Sequence, residues 1–321
     1  MDTRRQHLTI LLGAFALCGG ALAQSAGGAL REASWLSDEG RLEALSSEPI
    51  SPHLSAANPE AERRIRLGQS LFKTPFLFGG QAARAGLSCH SCHVNGRDNP
   101  SFQFPMVSGA PGTADVTSSF FSESLGNGVF DPTPIPDLAV PGKVSHDRDN
   151  AELEDFIQTI IVQEFSGSPP PPEVIEALAS YIRALQSDAN AQVDQRVARS
   201  IASDLGEVDL MIAQAADTLF DGGEQKMEIA RLLISGARHR LSLVHERMVA
   251  PRHQEHRDWL VRRSRALGEF LSGRLEGKPN FDAAIEELGV WRHAFADRGE
   301  FAAIENATLY NRELLSAHLG D

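Results

Sequence analysis

The chain has 321 residues, enough for two domains at roughly 100–200 residues each. Apolar residues make up 42% and charged residues 23%, which excludes a fibrous or disordered chain. Asp and Glu outnumber Lys and Arg by 43 to 30, and the net charge of -13 excludes nucleic acid as a partner, because phosphates would repel it.

Residues 1–23 read as a secretory signal peptide. Arg4 and Arg5 supply the positive start, Leu8 to Cys18 is a short apolar run, and Ala21-Leu22-Ala23 is a small-x-small cleavage site. Cleavage before Gln24 removes Cys18 and leaves Cys89 and Cys92 as the two cysteines of an exported, periplasmic protein. No later stretch approaches 18 consecutive apolar residues, so no membrane span is expected. Residues 24–58 read as an N-terminal linker. Asn58-Pro59 then starts a helix over about 60–73, with Ile65, Leu67, Leu71 and Phe72 on its apolar side.

Cys89-His90-Ser91-Cys92-His93 follows, a C-x-x-C-H sequence, the attachment signature of c-type haem. Two thiols on one helical turn reach the two vinyl groups of the macrocycle. The His after the second Cys then presents its imidazole to the iron. Three other chemistries use C-x-x-C. A thiol oxidoreductase needs a preceding strand and a βαβ pattern, and neither is visible. Zinc needs a second ligand pair, and the mature chain has no further Cys. A structural disulfide has no use for His93. His90 is expected to be an exposed spacer.

Residues 94–150 are rich in Gly, Pro, Ser and Asp and read as a loop wrapping the cofactor. A helix is expected over about 151–164, with Leu153, Phe156, Ile157, Ile160 and Ile161 on one face. Ser168 to Pro172 interrupts it, and a further helix covers about 173–186, with Val174, Ile175, Leu178, Tyr181, Ile182 and Leu185 in phase.

Here the sequence resembles a known family. Leu67 to Phe72, followed by Gly86 to His93, is similar to the start of a haem domain in bacterial dihaem cytochrome c peroxidases and the related methylamine-utilisation enzymes. Ser145-His146-Asp147, followed by Glu152 to Ile157, resembles a late element of those proteins, and Glu173 to Leu185 resembles their closing helix. The resemblance spans about residues 60–187. It implies a cytochrome c fold and covalent haem c. This chain departs from it in having one C-x-x-C-H rather than two, and Arg148 where the family usually has Gly. A single haem cannot both feed electrons and meet peroxide.

The second axial ligand decides what such an iron does. Within residues 94–187 the candidates are Met106 and His146. Met106 can equally be a thioether packed in the core, and His146 a pocket residue bonded to Asp147. Gln103, Glu123, Gln163 and Glu164 could line a distal pocket, but a solvated surface position is expected for each.

Beyond Ala189 the pattern becomes a helical bundle. Val193, Val197, Ile201, Leu205, Val208, Ile212 and Leu219 mark one helix. Met227, Ala230, Ile234, Ala237, Leu241, Val244 and Met248 form a heptad-type seam on the next. Further helices are expected over about 253–275, 281–295 and 302–319. His239, His245, His253, His256, His293 and His318 lie here without a Glu-x-x-His, which argues against a di-iron site. Met211, Met227 and Met248 are read as core, and Arg262, Arg263 and Arg265 as a solvated basic face.

The expected fold is therefore all-α: a loop-rich cytochrome c-like domain over residues 59–187, then a helical bundle domain over 188–321. The expected function is that of an exported monohaem c-type cytochrome. It would pass electrons to a redox partner protein, with the bundle as a partner or homo-oligomerisation module. The alternatives are an open haem that meets peroxide or a diatomic gas, and a haem that is structural within an interaction protein. Cys89 and Cys92 would hold one haem c and His93 would ligate its iron.

Overall fold

The computed structural model describes residues 29–51, 53–118, 120–122, 124–140, 144–145, 147, 150–186, 195–220, 223–274 and 299–320. The signal segment, His146, Glu123, His293 and the helix expected over 281–295 lie outside these residues. The fold is mostly helical, with short antiparallel strand pairs between the helices.

The stretch read as a linker is built into the fold. Arg31–Trp35 is a 3-10 turn, helix α1 spans Asp38–Ser46, and strands β1 (Ser47–Pro49) and β2 (His53–Leu54) follow. Trp35, Leu36 and Leu45 are buried, so this segment contributes core rather than tether.

Helix α2 spans Pro59–Phe72 and starts where the sequence dictates. The Asn58 side chain accepts from the Ala61 amide at 2.9 Å, and Pro59 occupies the first turn, where no amide is needed. Its exposed Glu60–Arg64 and Glu62–Arg66 pairs are worth only about 0.3–0.5 kcal/mol each. Its buried face, including Ile65, Leu67, Leu71 and Phe72, carries the stability. That face packs on helix α6 (Pro172–Ala184). Gly68 allows the approach, because a Cβ there would lie 2.0 Å from the Ala177 carbonyl oxygen.

Between these helices run α3 (Gly80–Ala85), α4 (Cys89–Cys92), strands β3 (Thr113–Ala114) and β4 (Thr133–Pro134), and helix α5 (Glu152–Thr159). α5 does not continue to 164 as a regular helix. Residues Ile160–Glu164 form a π-turn, closed by the Phe165 amide donating to the Ile160 carbonyl at 3.0 Å.

Strands β5 (Leu185–Gln186) and β6 (Arg196–Ala198) pair with β2 and β1 and lace the N-terminal segment to the middle of the chain. The next helix therefore starts later than its apolar pattern suggests. α7 spans Ile201–Phe220, and Val197 lies half exposed on β6. α8 (Glu224–Glu246) packs on α7 and on α9 (Gln254–Arg274), and the seam Ala230, Ile234, Ala237, Leu241, Val244 is buried as its spacing requires. The last expected helix is two, α10 (Gly299–Ile304) and α11 (Arg312–Leu319), the second capped by the Asn311 side chain.

The buried core runs without a break from α2 and α6 into α7 and α8. Gly236 on α8 lies against Thr74 and Met211, so the expected boundary near residue 187 is crossed by packed atoms. Buried charges cross it too. Glu207 on α7 bonds Lys73 and lies 2.7 Å from Arg240 on α8. Glu32 joins Arg199 and Arg247.

Candidate functional site

The C-x-x-C-H segment is shaped by its flanks. Gly86 ends α3 at φ 77°, a left-handed conformation that suits glycine, and a Cβ there would lie 2.8 Å from the His239 ring. The Ser88 amide then donates to Ser91 Oγ at 3.1 Å and opens the single turn α4. Within that turn Cys89 and Cys92, three residues apart, share a side. Both are free thiols and both line one cavity, together with His93.

That cavity has a volume of about 380 Å³, within the range of about 300–1,000 Å³ that holds small molecules and cofactors. Its walls are apolar. Phe72 comes from α2, Leu153, Phe156 and Ile157 from α5, Ile160 and Ile161 from the π-turn, and Leu178 and Ile182 from α6. Ala114, Ile135 and Leu138 close it from the loop. Phe72 lies 6.5 Å from the His93 ring and 5.1 Å from the Tyr181 ring, so α2 and α6 brace the imidazole from behind.

His93 Nδ1 is 3.0 Å from the Pro136 carbonyl oxygen. A carbonyl can only accept, so Nδ1 carries the proton and Nε2 keeps its lone pair. Burial pushes the imidazole down to about 4, against smaller opposing effects of Pro136 and Asp137, so it is neutral at pH 7. A neutral imidazole fixed through Nδ1, with Nε2 bare, is the form that ligates a metal. The loop that brings Pro136 there is itself anchored. Leu138 donates to the Gly96 carbonyl, Ile135 donates to the Gly112 carbonyl, and Arg97 pairs with Asp137 at 3.0 Å.

Burial raises both thiols to about 12. A thiol oxidoreductase needs the opposite shift. Among the described residues no group of three or more His, Cys, Asp or Glu is placed to hold a metal ion by itself. The residues present fit haem c: two protonated thiols, one neutral imidazole and an apolar slot on a common wall.

Several expectations need correction. Met106 does not reach the cavity. The turn in which Val107 donates to the Phe104 carbonyl buries Val107, while Met106, at φ 67°, is 62% exposed and lines a separate hollow with Phe120 and Phe130. It is therefore no axial ligand in this arrangement. His146 lies outside the described residues. His90 is not an exposed spacer. Its Nδ1 accepts from the Asn95 amide at 3.1 Å, and burial, helped by Lys73, Arg240 and Arg199, keeps it neutral.

Of the three polar candidates among the described residues, Glu164 alone is placed on the cavity wall, and its surface expectation fails. Gln103 bonds the Gly109 carbonyl, Gln163 offers its backbone carbonyl to Ser122 and Ser124, and Glu123 is outside the described residues. The signal for Glu164 was in the sequence, since it continues the 153, 157, 160 stripe at the next helical step.

Met211 and Met248 are buried in the helical core away from the cavity. His253 bonds the Ala307 carbonyl and lies 6.2 Å from the His256 ring, and His239 faces Arg31. Arg263 stacks over Trp259 at 5.2 Å, while Arg262 and Arg265 are exposed.

No protein-family model, no curated protein and no solved structure matches the chain.

Proposed function

We propose that this protein covalently binds one haem c through Cys89 and Cys92, with His93 as the proximal iron ligand. On this reading it works as an exported one-electron carrier of the cytochrome c type. The single observation that carries the reading is the convergence of two protonated thiols and a Pro136-held, neutral His93 on the wall of one apolar cavity. Cys89 and Cys92 would hold the group through thioether links to its two vinyl substituents, and His93 would supply the imidazole to its iron. Haem, when bound, supplies an iron that changes by one electron between ferric and ferrous.

The chain's own residues do the rest. The Pro136 carbonyl orients the imidazole and increases its basicity. The apolar walls from α2, α5 and α6 would favour the less charged ferrous form and so raise its potential. The resemblance to the dihaem peroxidase superfamily belongs to this proposal, with one haem instead of two. No described helix is long and apolar enough to cross a membrane.

A second reading is favoured by a specific observation. With Met106 outside, the described cavity residues include no thioether and no imidazole besides His93. An iron held by His93 as its single protein ligand would be free to bind a small ligand. A closed carrier requires a ligand from outside the described residues, where His146 lies.

The test is an absorption spectrum of the purified protein, ferric and ferrous, with and without carbon monoxide, beside an alkaline pyridine assay for thioether-linked haem. Two thioether links in wild type, lost in Cys89→Ser with Cys92→Ser, support the haem site. A low-spin spectrum indifferent to carbon monoxide supports the carrier. Carbon monoxide binding supports the open iron. No covalent haem after export in a host with haem-attachment machinery overturns both.

A further inference from the structure

We infer that the Glu164 carboxyl couples reduction of the haem site to uptake of one proton, an inference that rests on the haem reading above. Glu164 ends the π-turn Ile160–Glu164 and lines the same cavity as Cys89, Cys92 and His93. Apart from those three it is the one titratable side chain among the described lining residues.

The π-turn is what sets it there. The Phe165 amide donates to the Ile160 carbonyl and the Gly167 amide to the Ile161 carbonyl, so the last turn is wide and firmly closed. Such turns inside helices occur frequently at functional sites. Gly79 donates to the Phe165 carbonyl, and Ser122 and Ser124 donate to the Gln163 carbonyl, so the backbone on both sides is held.

Phe78, Phe156, Ile160 and Phe165 line the cavity with it. Among the described residues no hydrogen bond or ion pair reaches its carboxyl, and burial raises its pKa. The charged groups of the packed elements are committed elsewhere. On α6, Arg183 is tied to Glu154 of α5 at 2.5 Å. On the loop, Arg97 is tied to Asp137, and Asp98 is held up by burial and by Asp137 on the His93 side. On α5, Glu152 and Asp155 are exposed.

The coupling follows from charge. A carboxylate facing an apolar cavity is stabilised by a ferric iron centre and loses that stabilisation when the centre gains an electron. One electron from a one-electron donor protein and one proton from solvent then enter together: the electron to the iron, the proton to a Glu164 oxygen. Oxidation releases both.

The experiment is a spectroelectrochemical titration of wild type, Glu164→Gln and Glu164→Leu from pH 5 to pH 9, with covalent haem measured on the same samples. One proton per electron makes each tenfold change in proton activity shift the potential by about 59 mV. The expected result is a pH-dependent segment in wild type that flattens in both variants. Gln keeps the shape of the side chain and Leu keeps the wall apolar, so either variant that loads haem decides the matter. The haem propionates titrate in all three proteins and cancel in the comparison. An unchanged pH dependence in a loaded variant overturns the role of Glu164 and leaves the haem reading intact. Absence of covalent haem in wild type overturns both.

Discussion

Replacing Glu207 with Gln tests whether buried charge locks the two halves of the chain together. Glu207 on α7 accepts from Lys73, which closes α2, and lies 2.7 Å from Arg240 of α8. The Lys73 and Arg240 side chains are only 8% and 7% exposed. Removing the carboxylate leaves these two cations facing each other, with Asp204 at 3.6 Å from Arg240 as partial compensation. Breaking a buried pair this way costs about 3–5 kcal/mol.

Linkage gives a similar figure. Burial alone would raise the Glu207 carboxyl, but Arg240 and Lys73 outweigh it and hold it down to about 2, from 4.5. That difference corresponds to roughly 3 kcal/mol at neutral pH. Its sign is that of a depressed carboxylate: the stabilisation is fully present above about 4.5 and is lost as pH falls towards 2. Glu32, held down to about 2 by Arg199 and Arg247 against burial, works in the same direction. Urea unfolding followed by circular dichroism should show Glu207→Gln weakened by about 3 kcal/mol or more at pH 7. The variant should also lose less stability than wild type between pH 5 and pH 3. A loss under about 1 kcal/mol at pH 7, with an unchanged acid slope, would refute the reasoning.

Gly68→Ala should cost about 1–3 kcal/mol, read as a lower melting temperature, because the new Cβ meets the backbone oxygen of Ala177 and no side chain can yield. Leu178→Ala should cost about 2–5 kcal/mol and lower haem retention, since Leu178 is buried on α6 and forms the cavity wall; denaturant midpoints and haem-to-protein ratios report both. Asn58→Ala should cost about 1 kcal/mol by removing the cap of α2, and Asn58→Gly only a few tenths, in the same unfolding assay. Met106→Ala should leave the ferrous spectrum unchanged, since its side chain faces solvent; a shifted spectrum would return Met106 to the iron.

The sequence by itself determined the local features. Spacing put Cys89 and Cys92 on one turn with His93 beside them. Asn58-Pro59 started α2, the run to Pro172 started α6, and the seam from Ala230 to Val244 faced inward as its period required. These are short-range facts, set by capping groups, fixed proline φ and helical repeat. Tertiary structure decided what depends on distant atoms. The Pro136 carbonyl that orients His93 is 43 residues away and has no side-chain signature. Residues 24–58 read as a linker because the strands that pair with β1 and β2, β6 and β5, lie far along the chain. The core packed across residue 187 was invisible, since the hydrophobic period of each helix names its buried face but not the neighbour that covers it. Met106 and Glu164 exchanged their expected places for the same reason: a turn at Val107 and a π-turn at 160–164 rotate single side chains, and only packing selects that rotation.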